Sequence, residues 1–248
     1  MRFSQMMRRW QGIGLTLIGC VSALWLAHAG KLQLYIHPRY ITFTVLLSCI
    51  GVLLALVSFC YRPQHNNLAH GRLQVLVSAG VLVVCLVAFT ALLIVRPAPL
   101  TSSSLQQRGI NSGISSGVHT TNAVPLFGGS DYTQFGVREW AGLLVQTNDP
   151  DFYKGKSANI SGFISPEESD PENVLYVSRF VVTCCAVDAR PIGVPVYVPG
   201  WQALYKTDAW IQVAGDFIAN PSAKSKQRVV IRPTSIVGIV QPKDPYVY

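Results

Sequence analysis

Two adjacent cysteines, Cys184 and Cys185, are followed by Asp188, and no other group of residues in this sequence is better equipped for chemistry. The thiolate is the nucleophile and soft-metal ligand of proteins, and a cation beside a thiol lowers its pKa. Arg179 is the candidate cation. If Val174–Cys185 is one strand, alternation places Tyr176, Phe180, Val182 and Cys184 on one face. Arg179, Val181, Thr183 and Cys185 then share the other face. Adjacent strand cysteines do not readily ligate one ion, so the reactive set is Cys185 with Asp188, and Cys184 is the third candidate metal ligand. The cofactor class such a set would take is a transition metal. Two ligands fall short of the four of a structural zinc site. A structural role for these thiols is therefore the first reading, because free cysteine is among the most buried residue types, and metal or thiol chemistry is the alternative.

No other chemistry-bearing pattern is present. The sequence holds no nucleophile elbow, phosphate loop, HExxH or paired CxxC, so a non-catalytic protein is expected. Cys20, Cys49, Cys60 and Cys85 lie in or beside apolar runs, where a thiol behaves as a small hydrophobe.

The elements that must position the cysteines are strands. Ser157–Ile164, Val174–Cys185, Val194–Val198, Ala209–Ile218 and Arg228–Val240 are rich in Val, Ile, Tyr and Phe and are separated by Pro, Gly, Asp, Asn and Ser. Gly162 and Gly215 fall inside two of them, where small barrels bend. Val137, Trp140 and Leu144 follow helical spacing, so one amphipathic helix precedes the strands. The expectation is a small OB-like β-barrel with one helix, a short sandwich being the alternative.

The first hundred residues read differently. Ile13–Gly30, Tyr40–Tyr61 and Leu73–Val95 are apolar runs free of Asp, Glu, Lys and Arg, each about the 20 residues that cross a bilayer core as a helix. The fold class expected is thus an α+β membrane protein: three transmembrane helices, then the barrel. The domain reading is a membrane anchor over 1–96, a flexible Ser/Thr/Gly/Asn-rich linker over 97–130 containing the isolated His119, and the β domain over 131–248. Cleavage after Ala27-His28-Ala29, or at the lipobox-like Leu17-Ile18-Gly19-Cys20, is the processing alternative.

Charge follows the same division. The chain carries a formal net charge of +8, yet all 12 acidic residues lie at or after Asp131. The basic excess therefore flanks the apolar runs, as topology signals do, and is not the footprint of a nucleic-acid-binding surface. With the N-terminus cytoplasmic, Arg2, Arg8, Arg9, Arg62 and Arg72 lie inside, against Lys31, Arg39, Arg96 and Arg108 outside. This places the protein in the plasma (inner) membrane with its C-terminal domain extracytoplasmic. An OB-type nucleic-acid module, suggested by fold class alone, is a further alternative. The basic stretch Lys224-Ser225-Lys226-Gln227-Arg228 reads as a solvated hairpin tip.

Several stretches together resemble a poorly characterised group, the YcgQ-like small membrane subunits of two-component permeases. They are Tyr35-Ile36-His37-Pro38-Arg39-Tyr40, Leu100, Arg108-Gly109-Ile110-Asn111, Tyr153-Lys154-Gly155-Lys156 with Gly162-Phe163, and, most specifically, Arg179-Phe180 through Cys184-Cys185-Ala186-Val187-Asp188. The Trp210-Ile211-Gln212-Val213-Ala214-Gly215 stretch and the ending Pro242-Lys243-Asp244-Pro245-Tyr246-Val247-Tyr248 complete the match. The resemblance implies a larger polytopic permease as partner, besides membrane lipid. Some relatives carry a His-rich acidic loop between the second and third spans, where this chain has only His65 and His70. The function expected on this basis is that of an accessory permease subunit. The alternative is an autonomous metal- or thiol-active domain centred on Cys185 and Asp188.

Overall fold

The computed structural model describes residues 2–60, 80, 83, 84, 87, 100–105, 108–112 and 132–248. Most of the third apolar run, the loop with His65 and His70, and His119 lie outside the described residues. The chain divides into two compact units, Met1–Ala98 and Pro99–Tyr248.

In the first unit, helix α1 (Arg2–His28) is followed by short 3-10 turns and helix α2 (Ile41–Cys60). The helices pack against each other where a side chain on Gly51 would meet Cys20: a Cβ there would lie 2.6 Å from the Cys20 Sγ. The three-span expectation is corrected here. Among the described residues one helical segment, Pro38–Ser58, is long and apolar enough to cross a membrane. The apolar part of α1 spans only Gly12–His28. Arg8, Arg9 and Gln11 bound it on one side, and Gly30, in the left-handed region at φ +66°, ends it on the other.

The second unit contains the short helices α3 (Ser102–Leu105) and α5 (Pro150–Tyr153), the longer α4 (Val137–Gln146), and six strands. These are β1 (Ser157–Pro166), β2 (Val174–Val181), β3 (Arg190–Tyr197), β4 (Trp210–Ala219), β5 (Val229–Gly238) and β6 (Tyr246–Val247). The five expected strands all form, but the expected five-stranded OB-like barrel gives way to a six-stranded mixed sheet. Its order is β1-β4-β5-β3-β2-β6, and β1 also pairs with β2. The β3–β5 and β2–β6 pairings are parallel and the rest antiparallel. The sixth strand comes from the chain's last residues, where Tyr246 and Val247 pair with Phe180 and Val181.

Helix α4 starts where the Glu139 carboxylate accepts the Gly136 N–H (2.9 Å). It buries Val137, Trp140, Ala141 and Leu143 against the sheet. Trp140 is the centre of an aromatic group, 4.6 Å from Phe217 and 5.2 Å from Phe135 between ring centroids. A second apolar cluster, Leu105, Phe163, Phe180, Val182, Ala189 and Tyr246, is covered by Leu100 and Ile110. The start of the stretch read from sequence as linker therefore belongs to the β unit. Further bonds hold it there: the Leu100 N–H donates to Tyr246 Oη (3.2 Å), and Ser102 donates through its N–H and hydroxyl to Asp208 (2.7 and 3.0 Å).

Candidate metal centre

Strand β2 runs to Val181, and the Val182 N–H still donates to Val247 (3.0 Å), but the chain then leaves the sheet. The next three N–H groups all donate to one carboxylate. Asp188 accepts from Thr183 (3.3 Å), Cys184 (2.8 Å) and Cys185 (3.4 Å). A 3-10 turn over Ala186–Asp188 brings that carboxylate back over the chain before β3 begins at Arg190. Cys184 and Cys185 thus lie in the β2–β3 connection and not in a strand, so the alternation that separated them does not apply. Their Sγ atoms stand 3.6 Å apart. Together with a carboxylate oxygen of Asp188, all three donor atoms lie within 4.8 Å of one another.

That spacing can be compared with what an ion requires. Zn–S bonds of about 2.3 Å at a tetrahedral centre put two thiolates about 3.8 Å apart, whereas two thiolates on opposite sides of an ion would stand about 4.6 Å apart at that bond length. The observed separation matches one edge of a tetrahedron. Two thiolates and a carboxylate are three ligands, one fewer than a closed structural site. Cys184 is exposed, and Cys185 and Asp188 are half-buried, so an ion can reach them.

The electrostatics differ from the expectation that a cation activates a thiol. Arg179 is turned away: its guanidinium donates to the Ser161 carbonyl (2.7 Å) and hydroxyl (2.9 Å) and lies over the Trp210 ring at 5.3 Å. Burial lowers its pKa. The Cys184 thiol instead hydrogen-bonds the Asp188 carboxylate and Cys185, and its pKa is pushed up to about 11. Partial burial pushes the Asp188 carboxyl up, but the bonds from Cys184, Thr183 and Cys185 outweigh it and hold its pKa below the usual 3.8. An ionised carboxylate therefore holds the Cys184 thiol, which keeps its proton at neutral pH and lies against the Cys185 sulfur.

Sequence reasoning singled out Cys184, Cys185 and Asp188, and the fold brings them together. It overlooked Arg108, whose guanidinium donates to the carbonyls of Val187 (2.8 Å) and Ala189, on either side of Asp188. Arg108 lies 80 residues before Asp188, and only the packing of 100–105 and 108–112 on the sheet reveals its place. The basic stretch 224–228 connects β4 and β5, with Lys224, Lys226 and Arg228 exposed, as expected of a hairpin tip.

Two family models match the chain: the DUF1980 N-terminal domain over residues 14–111 and the DUF1980 C-terminal domain over 139–248. No curated protein and no solved structure matches it. The first match ends at Asn111, so it includes Arg108, while the second contains Cys184, Cys185 and Asp188.

Proposed function

The chain belongs to the DUF1980 family, and we propose that it is a non-catalytic binding protein whose β unit holds one thiophilic divalent ion, zinc being the best fit, through Cys184, Cys185 and Asp188. The observation that carries this reading is the convergence of two Sγ atoms, 3.6 Å apart, with a carboxylate in one tight loop. The loop-organising role of Asp188 is compatible with ligation, because a carboxylate has about four lone-pair sites and here accepts three backbone bonds. The test is titration of reduced, full-length protein in mild detergent with Co2+, which reports thiolate ligation by a charge-transfer band. One equivalent should saturate that band in the native protein. Cys184→Ser and Cys185→Ser should each weaken it strongly. No band, or a band untouched by both substitutions, would overturn the reading.

A second observation favours an accessory role beside a larger polytopic permease. Phe43, Leu46, Leu47, Ile50, Leu53 and Leu54 on α2 are each more than half exposed. Each side chain of this kind is worth roughly 1.5–3 kcal/mol when buried, so α2 calls for an apolar environment such as lipid or another helix. On this reading the protein sits in the plasma (inner) membrane with its N-terminus cytoplasmic and the metal-binding unit outside. The resemblance to YcgQ-like subunits supports a permease as the partner. Pull-down of the tagged protein from native membranes should recover a stoichiometric polytopic protein. A well-folded protein recovered alone would count against the permease role and leave the metal reading standing.

A further inference from the structure

We propose that Arg108 is a positioning residue of the metal loop, and that ion binding and the docking of residues 108–112 therefore stabilise each other. The inference rests on the metal reading above. Two nitrogens of the Arg108 guanidinium hold the carbonyls of Val187 and Ala189, the residues flanking Asp188. Asp188 in turn holds the N–H groups of Thr183, Cys184 and Cys185. One chain of hydrogen bonds thus runs from the guanidinium, through the backbone around Asp188, to the residues that carry both sulfurs. Arg108 and Asp188 also line one groove, together with Ser112 and Arg190.

The segment bearing Arg108 is fixed on both sides of it. Leu105 is buried in the same apolar cluster as Ala189. Asn111 is a turn residue set in the left-handed region at φ 62° and is hydrogen-bonded to β3. Its N–H donates to Pro191 (3.1 Å), its Nδ2 to the Gly193 carbonyl (2.9 Å), and its Oδ1 accepts the Gly193 N–H (2.9 Å). Gly193 permits this approach, since a Cβ there would lie 3.2 Å from Ile110 and 2.9 Å from the Ser178 hydroxyl. Arginine suits the position because its planar fork can serve two carbonyls at once, which the single ammonium of lysine does less well. It also brings a fixed positive charge to a loop that, with both thiols ionised, carries three negative charges against two on the ion.

Groups that orient metal ligands without touching the ion typically contribute about 10–100-fold in affinity. Arg108→Ala in the full-length protein should therefore weaken Co2+ binding by about that factor while leaving the thiolate charge-transfer band in place at saturation. Arg108→Lys should restore part of the loss. Binding coupling is reciprocal, so saturating Zn2+ should slow amide hydrogen exchange at Arg108 and Asn111 in the native protein. That measurement needs no variant and decides the matter even if Arg108→Ala folds poorly. Unchanged exchange in the native protein, or Arg108→Ala affinity equal to native, would overturn the inference. A native protein that shows no thiolate band would overturn the metal reading first, and that failure is visible before any variant is made.

Discussion

At the scale of single residues, Asp188 organises the centre. It is the ionised acceptor for three N–H groups and for a thiol, and this arrangement raises the Cys184 pKa to about 11. The consequence concerns pH. A metal must displace the Cys184 proton, so binding releases at least one proton throughout the range below about 11. Apparent Co2+ affinity should rise at least tenfold per pH unit between pH 6 and 8, up to about a hundredfold where both thiols give up a proton to the ion, and proton release measured in weak buffer should match that slope. A pH-independent affinity would show that Cys184 is not a ligand. Asp188 works in the opposite sense. Its pKa is depressed in the folded loop, so its contribution to stability is present above 3.8, the ordinary value, and is lost as pH falls through its lower folded value. Asp188→Asn should therefore flatten the acid limb of the stability profile as well as weaken Co2+ binding.

At the scale of elements, close backbone approach shapes the sheet. The β4–β5 register shifts between Ala214 and Gly215, and a Cβ on Gly215 would lie 2.8 Å from the Pro233 Cα and would also collide with the Arg232 carbonyl. Backbone cannot move aside as a flexible side chain can. Gly215→Ala should cost roughly 1–3 kcal/mol, read as a lower denaturation midpoint at unchanged slope. Packing of α4 depends on one large ring. Trp140 is fully buried between Tyr132, Phe135, Tyr153 and Phe217. Trp140→Ala should cost about 3–5 kcal/mol. Thermal denaturation of the two variants separates these effects from metal binding, because neither residue lies in the loop.

At the scale of the whole molecule, the β unit begins at Pro99 and not at residue 131. Leu100, Leu105 and Ile110 cover the cluster of Phe163, Phe180, Val182 and Tyr246. A fragment spanning 131–248 would expose that cluster and lose the Arg108 and Asn111 bonds. It should melt well below a 99–248 fragment, by at least several degrees, since each kcal/mol shifts the midpoint of a domain of this size by about 2–4 °C. Equal midpoints would show that residues 100–112 add nothing to the sheet.

Composition and periodicity alone were enough to locate most of the elements. β-branched and aromatic runs bounded by turn residues located five strands, and the spacing of Val137, Trp140 and Leu144 located α4, because these patterns are local consequences of burying one face. The same local reasoning carried β2 through Cys185, since nothing in Val182-Thr183-Cys184 marks the point where Asp188 captures the backbone. It also counted three spans, where among the described residues only Pro38–Ser58 has the length and apolarity. Tertiary structure decided what depends on distant partners. Tyr246–Val247 become a strand because Phe180–Val181 offer an open edge. Arg179 is drawn to Ser161 and Trp210 and so turns away from the thiols. The sulfurs meet only because Asp188 folds the loop back, and Arg108 reaches that loop only because Leu105 and Asn111 dock on either side of it. Spacing along the chain can nominate ligands, but convergence on a single ion is set by contacts between residues as far apart as 108 and 189, which no local pattern encodes.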